Sequence, residues 1–423
     1  MVVATILFII SLFIAKGRYR SYANPAIMFS FLWMIILFLD SKLFFGLREV
    51  SDKAEIIIVQ GLVAFMIGSL VAALFDNYDF AITNESRIAK NVHYHFNYTF
   101  LYIASLICIV FFLKNGFISL IYVLKGASLD AIRTAVQSST DGNFVNNILT
   151  NFVAWPFSYM LEAVAVVDYF FGKKDKKLFR LTLIVIFLRV FGDAGRTPLM
   201  DFAIYMLLGI AYLTKKERKN ILEQIKKFKY LILGILLLVI ATISRSSTTV
   251  WRQLYFYFAM PPVLLDQWSE QVSFNGLITY GLTSFNGVLF PILYIVKNLL
   301  GLEYPLLFQQ SYDVISSTVS NWLPIASGRT AANAYVSMFW YFYTDARMYG
   351  VIILSFIYGY CIRRYYNRSL LNRNIRNVSL YFLLYQGLFF SFIRFPFSKA
   401  YYVLAIIYTI CFAISKSAKG VEE

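Results

Sequence analysis

Apolar residues in this chain come in long unbroken runs, each closed by a short cluster of charges. Eleven runs can be marked, at 2–15, 26–39, 54–75, 98–113, 148–171, 178–191, 197–213, 230–243, 349–361, 378–393 and 400–414. A helix that rises about 1.5 Å per residue needs roughly twenty apolar residues to cross a hydrocarbon layer about 30 Å thick, and several runs approach that length. Only helices or closed barrels satisfy their backbone groups inside lipid. The pattern therefore predicts an all-α fold, a polytopic helical membrane protein with about 11 transmembrane helices. Asn24 and Pro25 open the second run, with proline near the first helical position, where its missing N–H costs nothing.

Residues 244–348 depart from this pattern. They mix arginine, aromatic rings, amides and a few carboxylates over about a hundred positions. The expected organisation is helices one to eight over 1–243, one large extracytoplasmic loop over 244–348, and helices nine to eleven over 349–423. Within the loop, 276–300 is apolar enough to cross, but Gly281, Gly287 and Pro291 interrupt it. A crossing there would also reverse the side of Arg363, Arg364 and Arg376. The stretch is expected to dip into the membrane, where irregular backbone needs cover from protein or water. Leu129, Ile132, Arg133 and Val136 have helical spacing with a thin apolar stripe, which predicts a helix lying at the interface.

Charge sets the orientation. The chain is 59% hydrophobic and 15% charged with a formal net charge of +16, against about 25% charged residues in a soluble domain. Lysine and arginine crowd the short segments 16–20, 173–177, 215–229 and 363–376. Dense basic loops face the cytoplasm, so the N-terminus and the 244–348 loop are expected outside and the C-terminus inside. The same clustering argues against nucleic acid as a partner, since no soluble basic domain is long enough to hold it. Cys108, Cys361 and Cys411 all fall in apolar runs, where cysteine acts as a small hydrophobe. The first run lacks a basic lead and a cleavage site and reads as a retained helix.

Neither a P-loop, a Gly-x-Gly-x-x-Gly turn, a His-Glu-x-x-His helix nor an Asp-x-Asp pair is present, and both histidines, His93 and His95, fall on the cytoplasmic side. No cofactor and no metal is expected. The outer half carries Arg133, Arg189, Arg196, Arg245, Arg252, Arg329, Arg347 and Arg394. Guanidinium forks bind phosphate oxygens, and charge at membrane depth is costly unless it serves a purpose; snorkelling to headgroups is the plainer alternative. Arg189 and Arg196, seven apart, would share a face if one helix carried both. Asp266 and Glu270 lie four apart on one face of a helix expected after Pro262. Asp193, Asp313 and Asp345 are further candidate bases. Glu162, in mid-run, is expected to pair with Arg189. Trp251, Tyr255, Tyr257, Trp268, Trp322, Trp340, Tyr341 and Tyr343 read as interface belts or as surfaces for sugar rings.

The layout resembles the O-antigen and capsular polysaccharide polymerase family (Wzy type). The resemblance lies in Asn24 and Pro25 opening the second run, the arginine-bearing segment 129–133, and the turn at Gly195, Arg196 and Thr197. It extends to Gly328 through Asn333 and to Tyr343 through Gly350, which resembles the family's aromatic–Asp–x–x–x–Gly junction with four residues between Asp345 and Gly350. Such a resemblance implies a metal-independent glycosyltransferase of the bacterial cytoplasmic membrane. It would join undecaprenyl-diphosphate-linked oligosaccharide repeat units on the outer face into surface polysaccharide. Arg133, Arg189, Arg196, Arg245, Arg252, Arg329 and Arg347 would hold diphosphate and glycan, and Asp345 or Asp266 would take the acceptor proton. Partners would be the lipid-linked glycan, the bilayer, a flippase and a chain-length regulator. The alternatives are a glycan ligase acting on the same carrier and a lipid-linked oligosaccharide flippase.

Overall fold

The computed structural model describes residues 1–18, 23–85, 93–126, 136, 144–192, 195–213, 250–328, 330–371 and 374–417. Helices dominate. In chain order they are α1 Val2–Arg18, α2 Pro25–Asp40, α3 Asp52–Glu85, α4 Tyr98–Leu124 and α5 Phe144–Ile148. A π-helical stretch, Leu149–Ala154, leads into α6 Trp155–Phe171, followed by α7 Lys176–Gly192 and α8 Thr197–Tyr212. Then come α9 Val250–Phe274, α10 Asn286–Leu300, α11 Leu306–Ser320, α12 Ser337–Leu371, α13 Ile375–Phe389 and α14 Ala400–Tyr408. Four short strands, β1 His93–Phe96, β2 Leu323–Pro324, β3 Ala331–Ala332 and β4 Ile414–Ser417, pair antiparallel as β1–β4 and β2–β3.

A helix lies at every expected run outside 230–243, which falls beyond the described residues, as does the interfacial segment apart from Val136. Among the described residues, Asp52–Phe75 and Tyr98–Tyr122 are long and apolar enough to cross a membrane; Val2–Phe13, Pro25–Asp40, Thr197–Tyr212, Asn286–Leu300 and Ala400–Ala413 are apolar but shorter. The start of α2 forms as its sequence suggests. Asn24 caps the helix by accepting the Ala26 N–H at 3.0 Å, and Pro25 takes the first position.

The chain folds into two compact units interleaved in sequence. Unit 1 takes Met1–Ala89, Thr248–Leu371 and Gly387–Ala400; unit 2 takes Lys90–Ser247, Asn372–Gln386 and Tyr401–Glu423. The axis of unit 1 is the packing of α3 against α12. A Cβ added at Gly68 would sit 2.0 Å from the Phe356 carbonyl oxygen, and one at Gly359 would sit 2.2 Å from that of Phe65. The two backbones touch because these positions carry no side chain, a common device where helices must pack closely. Phe29, Trp33, Phe65 and Phe339 fill the space beside this seam.

The 244–348 segment is not an open loop. Its described part is largely helical, and it docks on the 41–51 connection of the same unit. The Arg48 N–H donates to the Ile325 carbonyl at 2.9 Å, the Ser327 N–H to Gly46 at 2.8 Å, and the Phe44 N–H to the Tyr255 hydroxyl at 2.9 Å. The expected helix after Pro262 begins earlier: α9 runs through Pro261 and Pro262. Each proline withholds a backbone donor, and the buried Ala259, Met260, Val263, Leu264 and Leu265 hold the turn in place. The stretch 276–300 is a turn followed by α10, whose Ile292, Leu299 and Leu300 remain exposed.

In unit 2, β1 pairs with β4, the Tyr98 hydroxyl donates to Asp168 at 2.6 Å, and Arg376 donates to the Tyr94 hydroxyl at 3.2 Å. Asp168 also accepts the backbone N–H groups of Lys173 and Asp175, so the 172–175 turn is held by one carboxylate.

Candidate functional site

α12 breaks at Ala346 and Arg347. Arg347 has φ 54° and ψ −140°, a conformation that costs a residue with a side chain about 1–3 kcal/mol. The break comes directly after the buried run Met338 to Asp345 and turns the Arg347 side chain back along the first half of the helix. Its guanidinium carbon stands 5.3 Å from the centre of the Tyr343 ring, and one Nη2–H donates to the Val272 carbonyl at 3.1 Å. The other terminal nitrogen, Nη1, is buried and has no hydrogen-bond partner among the described residues.

A second cation shares that ring. The Lys53 amine, in the first turn of α3, is 5.2 Å from the Tyr343 centroid and donates to Ser273 Oγ at 2.9 Å. Ser273 in turn lies 3.0 Å from the Tyr343 hydroxyl and donates to the Ser269 carbonyl at 2.7 Å. Lys53 is exposed, and no carboxylate pairs with it or with Arg347 among the described residues. A cation at a helix N-terminus opposes the helix dipole, so its placement works against local stability. Two cations without an ion-pair partner among the described residues, two hydroxyls and an aromatic ring therefore meet at one corner of unit 1.

Asp345, the residue before the break in α12, is 1% exposed. Its Oδ1 accepts from Thr279 Oγ1 at 2.6 Å and from the Thr283 N–H at 3.0 Å; its Oδ2 accepts from the Ser284 N–H at 3.1 Å. The Thr279 and Tyr280 N–H groups donate to the Thr344 and Asp345 carbonyls. Burial raises the Asp345 carboxyl above its ordinary range, and the donors from Ser284, Thr279 and Thr283 oppose that shift. The geometry makes Asp345 a brace for the 279–284 turn. Three of its roughly four lone-pair positions are taken by protein donors.

Asp266 keeps partial exposure. It accepts the Ser51 N–H at 2.9 Å and the Ser51 hydroxyl, joining α9 to the N-terminus of α3 two residues before Lys53. Glu270, one turn on, is exposed, and Asp313 accepts from Gln309 on the surface of α11. Arg252 donates to Thr330 Oγ1 at 3.0 Å and lies 5.7 Å from the Phe256 ring, which brings the start of α9 to the 328–333 motif. Arg133, Arg245, Arg329 and Asp193 lie outside the described residues.

Arg189 belongs to unit 2 and does not face outward. It is 4% exposed, 3.2 Å from Glu162 Oε1, and 4.4 Å from the centre of the Tyr159 ring. The expected pairing with Glu162 is present; the alternative role as a phosphate clamp has no free surface to act from. Arg189 and Arg196 share no helix, because α7 ends at Gly192 and Arg196 precedes the first residue of α8. Most of the aromatic candidates are core: Tyr255, Trp268, Trp340, Tyr341 and Tyr343 are buried, whereas Trp251 and Trp322 are 78% and 66% exposed.

Two lysines were invisible to sequence reasoning. Lys53 sits 220 residues from Ser273 in the chain, and no spacing rule connects them. Lys399, between α13 and α14, has its amine brought down to about 7 by burial, with Arg394 as the second cause. Gly287 at the start of α10 abuts the Lys399 backbone, where an added Cβ would meet the carbonyl carbon at 2.4 Å. Compared with known proteins, the chain matches no family model, no curated protein and no solved structure.

Proposed function

We propose that this chain is a polytopic membrane glycosyltransferase that polymerises lipid-linked oligosaccharide repeat units on the outer face of a bacterial cytoplasmic membrane. The observation that carries the proposal is the anion corner built by Arg347, Lys53, Tyr343 and Ser273. A strained backbone, an unpartnered guanidinium nitrogen and a cation set against a helix dipole all cost stability, and such costs collect at functional sites. Two uncompensated cations suit a diphosphate, whose charge grows as it leaves.

The pairing of connections supports the membrane arrangement. In unit 1 the contacts join 41–53 to 244–348, two segments that the charge pattern assigns to the outside. In unit 2 they join 93–97, 172–175, 374–376 and 414–417, all assigned to the cytoplasm. Parity of crossings would be broken if either set were mixed.

In the proposed reaction the terminal sugar hydroxyl of one lipid-linked unit attacks the anomeric carbon of another. The new glycosidic C–O bond forms, the C–O bond to diphosphate breaks, and undecaprenyl diphosphate departs with its charge held by Arg347 and Lys53. The hydroxyl proton passes to a carboxylate. Asp266 retains access for this and Asp345 supports the neighbouring turn. Arg252, Arg196 and the undescribed Arg133, Arg245 and Arg329 remain proposed glycan or diphosphate contacts.

The test is a gel of surface glycan from a strain lacking the protein, beside strains restored with wild type or Arg347→Ala. A ladder that collapses to one repeat unit on deletion, returns with wild type and does not return with Arg347→Ala is the expected result. An unchanged ladder on deletion would remove the polymerase reading. Full-length glycan left on its lipid carrier would indicate a ligase, and repeat units retained on the cytoplasmic side a flippase.

A further inference from the structure

We propose that unit 2 holds one exchangeable monovalent cation, a proton or a sodium ion, between the buried carboxylates Glu162 and Asp201. Neither the glycan chemistry nor the Arg347 corner enters this inference.

Three neighbouring helices supply the charged groups. On α6, Ser158 and Glu162 are four apart and share a face; the Ser158 hydroxyl is 3.0 Å from Glu162 Oε1. In the last turn of α7, Arg189 Nη1 donates to Ser158 Oγ at 3.1 Å and to Glu162 Oε1 at 3.2 Å. On α8, Asp201 and Tyr205 are again four apart, and Gln386 Nε2 of α13 donates to Asp201 Oδ1 at 2.7 Å. Glu162, Asp201 and Tyr205 have no exposed surface, and Gln386 is 4% exposed.

The charges do not balance among the described residues. Two carboxylates face one guanidinium there, and the other described titratable groups in electrostatic reach are Tyr159, Tyr205, Tyr401, Tyr402 and Cys108, none of which brings positive charge. An uncompensated charge in a fully buried site costs several kcal/mol even after relaxation, so one further positive charge must be bound. A divalent ion would overshoot by one.

The second observation is a set of oxygens without partners. Glu162 Oε2, Asp201 Oδ2, Tyr205 Oη and Gln386 Oε1 are all buried and make no hydrogen bond among the described residues. Buried polar atoms are almost always satisfied, so four orphans around an unbalanced pair indicate a ligand. All are oxygens, the donor type that hard cations select. A proton on one carboxyl would supply a donor to the oxygens facing it; a sodium ion would be coordinated by several of them.

The experiment uses the full chain purified in detergent. Infrared difference spectra across neutral pH, in sodium-free buffer, should contain a protonated-carboxyl band that disappears on titration upward. The band should be absent in Glu162→Gln or Asp201→Asn, and Tyr205→Phe, which only removes a hydroxyl, should shift its position. If sodium is the ligand, sodium chloride but not potassium chloride raises the melting temperature at alkaline pH and suppresses the band, and Asp201→Asn abolishes both effects. A spectrum with no protonated carboxyl, together with identical melting in sodium and potassium, overturns the proposal. So does a band that Tyr205→Phe and the two carboxamide variants all leave untouched.

Discussion

Lys53 and Arg347 address the same aromatic ring, the first at 5.2 Å and the second at 5.3 Å from the centroid of Tyr343. Like charges are normally kept apart, and a shared ring only partly offsets their repulsion, since a cation–π contact contributes about 0.5–1 kcal/mol at an exposed site. The arrangement suits an anion placed between them better than it suits the protein alone.

The strain at Arg347 makes stability and function separable. Glycine adopts φ 54° freely, so Arg347→Gly should melt at or above the wild-type temperature although it loses the Val272 contact, while Arg347→Ala should be less stable than the glycine variant by about 1–3 kcal/mol. Both should make no polymer. Thermal unfolding in detergent beside a surface-glycan gel checks this; an alanine variant as stable as glycine would remove the strain argument.

Asp345 should behave as a structural residue. Asp345→Ala leaves the Thr283 and Ser284 N–H groups without an acceptor in a buried turn. Each orphaned group costs about 1–3 kcal/mol, so folded yield by size-exclusion chromatography should fall steeply. Normal yield with lost polymer would instead return Asp345 to the role of base.

Lys399 should make stability rise with pH. Its folded value of about 7 lies below the ordinary 10.5, so between those values the unfolded chain binds more protons and each step upward favours the folded state. The desolvation of the half-buried amine opposes its charged form, a penalty present below about 7 and relieved above 10.5. Lys399→Met should melt higher than wild type at pH 6 and flatten the rise between pH 7 and 10. Parallel melting curves for the two proteins would show that the amine is not buried.

Removing one member of the Arg189–Glu162 pair should be worse than removing both. Arg189→Met strands buried carboxylates and should cost about 3–5 kcal/mol, whereas the double variant Arg189→Met with Glu162→Met should recover most of it. Denaturant unfolding of wild type, Arg189→Met, Glu162→Met and the double variant gives the cycle; additive losses would mean that the two side chains are not coupled.

Polymer formation in membranes should also continue in EDTA. No group of three or more His, Cys, Asp or Glu that could hold a metal is found among the described residues. Activity abolished by chelation and restored by a divalent ion would require a different centre.

Local signals carried well. The cap and proline that start α2 depend on adjacent residues, and the Glu162–Arg189 pair follows from how few charges lie in apolar runs. Signals that depend on distance in the chain did not. Asp345 looked like a free carboxylate because its donors, Thr279, Thr283 and Ser284, lie more than sixty residues away. Pro261 and Pro262 looked like a helix start because the burial that holds α9 through them has no local trace.

The sequence by itself determined the helical class, the places where apolar helices lie and the segregation of basic connections, because hydrophobic runs and charge clusters act through nearest neighbours and through the solvent. Only the tertiary structure decided which polar residues are tethers and which are free. It assigned Asp345 and Asp266 to hydrogen-bonded joints, buried Arg189, and brought Lys53 to Arg347. The physical reason is that a side chain's chemistry is set by its uncommitted donors, acceptors and charge, and packing between remote helices determines what remains uncommitted.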